Sequence, residues 1–186
     1  MLYFSKSIKL IRHQQNTSMS SVNLRSFKKK VFARKRKMKL ALSRWEKKPP
    51  QGLDKLASVS EKEVWTETDC TTCANCCRKM TPTFKEKDIR RIAPHFDMTP
   101  KAFKEKWLFK DGDGDWLNTS NPCQFLDLKT NMCSIYEIRP TDCAEFPHLS
   151  KKKFVEYVDT HKQNLEYCPA TFKLVEKMMD RLSDAG

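Results

Sequence analysis

No acidic residue precedes Glu46 and no cysteine precedes Cys70 in this 186-residue chain. Glycine is scarce, with only four in all, which excludes collagen-like and Gly-rich low-complexity classes. No apolar run approaches the roughly 20 residues of a membrane span, so the sequence predicts a soluble protein with no membrane partner. The start lacks a continuous apolar stretch followed by a small-residue cleavage site, so no secretory signal is expected. A Gly-rich phosphate loop, a Ser–His–Asp pattern and the C-x3-C-x2-C of radical enzymes are all missing.

The net charge of +13 is unevenly placed. Residues 1–45 carry 13 Lys and Arg, and the remainder holds 23 basic residues against all 23 acidic ones. The basicity therefore belongs to an N-terminal arm. Residues 1–18 are expected to be a non-native or disordered extension, with Met19 as the working start. A mitochondrial presequence is the weaker alternative. Over residues 22–47, Leu24, Val31, Met38 and Trp45 recur every seven positions with Phe27 and Ala41 between them. This predicts one apolar stripe on a basic helix. The stripe is expected to dock on the domain and leave a solvated basic face; a nucleic-acid or anionic-surface patch is the alternative. Pro49-Pro50 should end that helix.

Farther along, residues 53–67 read as a short helix and Thr83–Ile92 as another. Thr99-Pro100 reads as a helix start, with a capping hydroxyl and then Pro at the first helical position. Asp111-Gly112-Asp113-Gly114-Asp115 fails as an EF-hand, because Trp116 and Pro122 stand where Gly and Glu are required; a turn between a helix and a strand is expected there. Two short strands are predicted at Cys123–Leu128 and Met132–Tyr136, joined at Lys129-Thr130-Asn131. A helix is expected over Lys152–Leu165 and a last one from Pro169, with Phe172, Val175, Met179 and Leu182 inward.

Eight cysteines dominate what is present: Cys70, Cys73, Cys76, Cys77, Cys123, Cys133, Cys143 and Cys168. The run C-T-T-C-A-N-C-C at Cys70–Cys77 brings three thiols to one side of a tight loop, fit to wrap a metal ion or an iron–sulfur cube. The side chain of Cys77 leaves in a different direction from that of Cys76. Zinc takes four ligands and so does an iron–sulfur cube, so eight thiols could fill two sites. One grouping sets Cys70, Cys73, Cys76 and Cys168 around the first and Cys77, Cys123, Cys133 and Cys143 around the second. A single site with several buried structural thiols is the other. The first grouping resembles the ferredoxin run, in which C-x2-C-x2-C is completed by a Cys-Pro. Among the histidines, His95 and His161 are expected to be ordinary surface or core residues, and only His148 is a fair spare ligand. Glu137 and Arg139 are expected to pair and brace the turn before Cys143.

The motifs Cys70-x2-Cys73-x2-Cys76-Cys77, Pro122-Cys123-x-Phe125-Leu126, Cys133-Ser134-Ile135-Tyr136-Glu137-x-Arg139-Pro140-x-x-Cys143 and Phe146-Pro147 together resemble the YkgJ-type cysteine-cluster family. That family is described as zinc- or iron-chelating. The resemblance spans about residues 66–170. It implies a bacterial, cytoplasmic protein and metal ligation by cysteine. Ala144 stands where the family usually carries a basic residue. Domains of this kind also resemble part of a flagellin lysine methylase.

The expected fold is α+β, mainly helical: a small cysteine-rich metal-binding domain over 53–186 with a short β-hairpin, preceded by a basic helical arm over 19–52. The expected function is chelation of iron, as an iron–sulfur cluster, or of zinc, in a structural or electron-transfer role with a protein redox partner. A metal-dependent enzyme modifying protein or RNA is the alternative. A nucleic-acid-binding module using the arm is the third and least favoured reading.

Overall fold

The computed structural model describes residues 22–149 and 153–184. The extension expected over residues 1–18 and the start of the helix expected at Lys152 lie outside them. The protein is mainly helical with a small antiparallel sheet, an α+β fold.

The arm is a helix, α1 (Leu24–Lys47). Asn23 Oδ1 accepts the Ser26 backbone N–H at 2.9 Å and caps its start. Pro49 ends it by pushing Lys48 out of helical space. The predicted stripe is buried, with Phe27, Val31, Met38, Ala41, Leu42 and Trp45 turned inward. It packs on α7 (Val158–Asn164) and α8 (Pro169–Asp184), while α2 (Leu53–Glu67) lies along α8. One core joins them, built on Met38, Leu42, Val64, Phe154, Leu165, Phe172, Leu174 and Met178. Burying each such side chain is worth roughly 2 kcal/mol of transfer free energy. Ion pairs line the seams: Arg34 with Glu176, Lys35 and Lys39 with Glu166, and Arg181 with Glu63.

A second core, sharing no residue with the first, fills the middle of the chain. It is built by β1 (Thr83–Phe84), α4 (Glu86–Ile92), α5 (Pro100–Trp107), β2 (Leu108–Lys110) and β3 (Trp116–Asn118), while the short helices α3 (Asn75–Lys79) and α6 (Thr141–Glu145) add no residue to it. The sheet order is β1-β3-β2, with Phe84 opposite Trp116 and Phe109 opposite Leu117. Ile89, Ile92, Phe84 and Phe103 are fully buried. Phe96 packs edge-on to Trp107 with ring centroids at 4.7 Å, and Phe103 stacks with Phe125 at 6.2 Å. Thr99 caps α5 as predicted, its Oγ1 accepting the Ala102 N–H at 3.1 Å.

Four expectations need correction. Thr83 and Phe84 are strand, because they pair with β3, and the helix begins only at Glu86. The Asp111–Asp115 turn joins two strands, β2 and β3, rather than a helix and a strand. Its Asp111 Oδ1 accepts the N–H groups of Asp113 and Asp115 at 3.0 and 2.9 Å. The strands expected at Cys123–Leu128 and Met132–Tyr136 shrink to one bridge between Leu126 and Cys133. The chain turns before a ladder can extend: the Leu126 N–H donates to the Cys123 carbonyl at 3.0 Å and the Tyr136 N–H to the Cys133 carbonyl at 3.2 Å. Finally, Arg139 does not brace Glu137. Its guanidinium lies 3.9 Å from the centre of the Tyr136 ring and donates to the Tyr136 carbonyl.

Candidate metal centre

The eight cysteines come together where the two cores meet. Asp69 starts the approach: its Oδ1 accepts the Thr71 N–H at 2.8 Å and holds the turn over Cys70–Thr72. Ala74 then takes a left-handed conformation, φ 47°, which turns the chain into α3. Cys76 and Cys77 follow on consecutive positions of that short helix, where side chains diverge by about 100°. Cys168 stands immediately before α8, and the N–H groups of Ala170 and Thr171 point at its sulfur.

A cavity of about 430 Å³ opens here, lined by Cys70, Cys76, Cys77, Cys123, Cys133 and Cys143. Its other walls are largely apolar, with Trp65, Phe84, Phe125 and Phe146 among them. Cys73 and Cys168 are buried beside it. All eight are free thiols. Among the described residues, no three Cys, His, Asp or Glu side chains converge closely enough to grip a single ion as they stand. The thiols ring a space instead of meeting at a point.

Their electrostatics divide them into two neighbourhoods. Burial pushes the Cys70 thiol up, and Cys168 and Cys73 push it further. A hydrogen bond to Cys77 raises Cys76, followed by burial and by Cys168 and Cys70. Cys168 is raised by burial, with Cys73 adding to it. On the other side, burial raises Cys123, Cys133 and Cys143, and Cys77 opposes the ionisation of each. Cys143 is opposed by Cys123 and Cys133 as well. Cys77 itself is held down at about 7, first by the hydrogen bond from Cys76 and later by the Arg78 guanidinium. Cys77 touches both neighbourhoods, since it also raises Cys70 and Cys73.

Backbone donors favour the anionic form of four sulfurs. In each case the N–H two residues on points back: Asn75 to Cys73, Phe125 to Cys123, Ile135 to Cys133 and Ala170 to Cys168. A thiol carries one weak donor, whereas a thiolate accepts several such bonds. Two of the four fall in each neighbourhood.

Several residues that sequence reasoning missed hold this arrangement. Asn75, buried, donates from Nδ2 to the Tyr167 carbonyl at 2.7 Å, tying the Cys70–Cys77 run to the residue before Cys168. Arg78 donates to the Leu128 carbonyl at 3.0 Å and to Asn131 Oδ1 at 2.6 Å, across the turn between Cys123 and Cys133. Cys123 N–H reaches the Cys77 carbonyl at 2.9 Å. Asn118 Nδ2 lies 3.2 Å from Cys123 Sγ. Polar residues set inside or beside the cysteine run, Asn75 and Arg78, were the available signal. Asn118 carried none.

Each of the three described histidines has aromatic or acidic neighbours of its own. His148 Nε2 is 3.6 Å from Asp142 Oδ1, and its ring stacks with Tyr157. His161 is buried against Phe154, ring centroids 4.6 Å apart. His95 packs edge-on to Phe96.

No solved structure matches this chain. An 83-residue stretch is 34% identical to the uncharacterized protein MJ0661 of Methanocaldococcus jannaschii, covering 42% of this chain and 43% of that protein. The match thus spans less than half the length of that relative. Residues 69–169, which hold all eight cysteines and make up more than half of the chain, match the CxxCxxCC family, described as "Putative zinc- or iron-chelating domain", and the chain belongs to that family.

Proposed function

We propose that the eight thiols hold metal in two four-cysteine centres. Cys70, Cys73, Cys76 and Cys168 form the first, and Cys77, Cys123, Cys133 and Cys143 the second. Iron–sulfur clusters are favoured over zinc, in a structural or electron-transfer role. The observation that carries this reading is the ring of free thiols around a cavity of about 430 Å³, in two neighbourhoods touching at Cys76 and Cys77. A lone zinc ion draws four ligands to within about 2.3 Å of a point; a ring around open space better suits a polynuclear group. The donor set fits such a group: four sulfurs each, backbone N–H groups aimed at two of each four, and Arg78 and Arg139 beside the second set to offset its negative charge. An iron–sulfur cluster supplies one-electron chemistry at a potential set by charge, hydrogen bonds to sulfur and exposure. This chain's contribution is to orient the thiols, donate to them and line the space with Phe84, Phe125 and Phe146.

The test is metal analysis and visible absorption of protein purified without air. The reading expects iron and sulfide in stoichiometric amounts and a brown protein. A colourless protein with stoichiometric zinc would replace the clusters by zinc, and one without tightly held metal would overturn both.

A further inference from the structure

The outward face of α1 has no role in the cysteine site. On the flank of the helix turned to α7 and α8, Arg34, Lys35 and Lys39 are paired with Glu176 and Glu166. Arg25, Lys28, Lys29, Arg36, Arg44 and Lys47, all exposed, have no acidic partner among the described residues. In their midst are two large apolar side chains open to water, Phe32 at 88% exposure and Leu40 at 58%. They are eight residues apart, two turns and about 12 Å along the same side of the helix. A solvated charged face has no need of them, and an exposed Phe is the feature to explain.

We propose that α1 lays this face on an anionic lipid surface, with Phe32 and Leu40 entering the headgroup–acyl boundary and the surrounding cations meeting lipid phosphates and carboxylates. The face runs about 33 Å from Arg25 to Lys47, long enough to place several cations on a lipid surface at once. The chain's own N-terminal segment does not complement it, since Lys6, Lys9 and Arg12 are its only charged residues apart from the chain start and His13. A second copy presenting the same face would be repelled. Nucleic acid would satisfy the cations, but Leu40 cannot stack on bases, and the outer face offers one aromatic ring rather than the series that single strands require. The expectation of no membrane partner rested on the absence of a span, and no helix among the described residues is long and apolar enough to cross a membrane. Peripheral contact needs none.

The test is cosedimentation of the full chain with vesicles of phosphatidylcholine alone and with about 30% phosphatidylserine, at about 0.1 M salt. Binding is expected only to the anionic vesicles. The pair Phe32→Ala with Leu40→Ala should weaken it about tenfold, and Lys29→Glu with Arg36→Glu should abolish it. Lys62→Glu, on the exposed side of α2, should leave it unchanged. All of these positions are exposed, and circular dichroism of each variant checks that the helices persist. No binding to anionic vesicles, equal binding to both vesicle types, or full binding by the Phe32/Leu40 variant would overturn the proposal. So would tighter binding of a mixed-sequence RNA that the Phe32/Leu40 change does not affect, which would assign the face to nucleic acid.

Discussion

Cys76 Sγ and Cys77 Sγ stand 3.8 Å apart, yet they serve different surroundings. Cys76 is opposed by Cys168 and Cys70, while Cys77 is the shared neighbour of Cys123, Cys133 and Cys143 and opposes Cys70 and Cys73 as well. A separation of 3.8 Å equals the edge between two sulfurs of a tetrahedral thiolate site with bonds of about 2.3 Å, so the pair fits one shared ion as well as two adjacent groups taking one sulfur each. The pair is the seam between the two neighbourhoods.

That seam gives a dissection. Cys76→Ser and Cys77→Ser should each lose about half of the bound metal, and the double variant all of it, because a hydroxyl is a poor substitute for a thiolate ligand. Metal content per chain, measured after gel filtration, checks this. Loss of all metal from either single variant would show one shared centre.

Asn75→Ala should destabilise the protein by about 1–2 kcal/mol, the value of a buried hydrogen bond that leaves the Tyr167 carbonyl unmatched. Asn75→Asp should cost at least as much, since an ionised carboxylate cannot donate to that carbonyl. Denaturant midpoints give the comparison. An Asp variant as stable as the native chain would mean the bond contributes nothing.

Asp88 ties α4 to α6. Burial pushes its carboxyl up, but bonds from Thr141 Oγ1 at 2.9 Å and Arg91 at 3.1 Å, with backbone donors, hold it below its ordinary value. Asp88→Ala should therefore lower stability by roughly 2–4 kcal/mol. Thermal unfolding of the variant is the measurement, and a change within experimental scatter would refute the assignment.

His161 should make stability depend on pH. Burial, with His148 adding to it, lowers its pKa from 6.5 to about 4. The unfolded chain therefore binds the proton first. Stability is full above pH 6.5 and falls as pH drops toward 4, by at most roughly 3 kcal/mol. His161→Phe keeps a ring against Phe154 and should lack this loss. Unfolding free energies at several pH values decide it: identical profiles for the two proteins would remove His161 as the cause.

Much of the scaffold was legible because periodicity and caps are local. The seven-residue spacing from Leu24 to Trp45 located the buried stripe of α1, and Thr99-Pro100 and Pro169 located two helix starts. The sheet was not legible. β1 is two residues long and has no pattern of its own until β3 lies beside it. The misplaced strands around Cys123 and Cys133 had the right alternation, but turns closing on the Cys123 and Cys133 carbonyls stop the pairing after one bridge. The cysteines announced a metal-binding site through their spacing. Asn75 and Arg78, which help arrange them, reach partners 92 and 50 residues away, a relation that spacing cannot reveal, while Asn118 sits five residues from Cys123 with no motif to mark it.

The two separate cores bear on how such a domain can be inherited. Residues 69–169 carry every cysteine and the entire second core. Cut loose, that stretch would bare Leu149, Phe154, Val158 and Leu165 and leave Cys168 without the helix that follows it, because α1, α2 and α8 supply the rest of the first core. The cysteine-bearing segment is thus not a cassette that can be pasted anywhere. A lineage that copies it must also bring, or invent, helices to close its open side. The bundle flanking the motif is then free to diverge in sequence so long as that apolar seat survives.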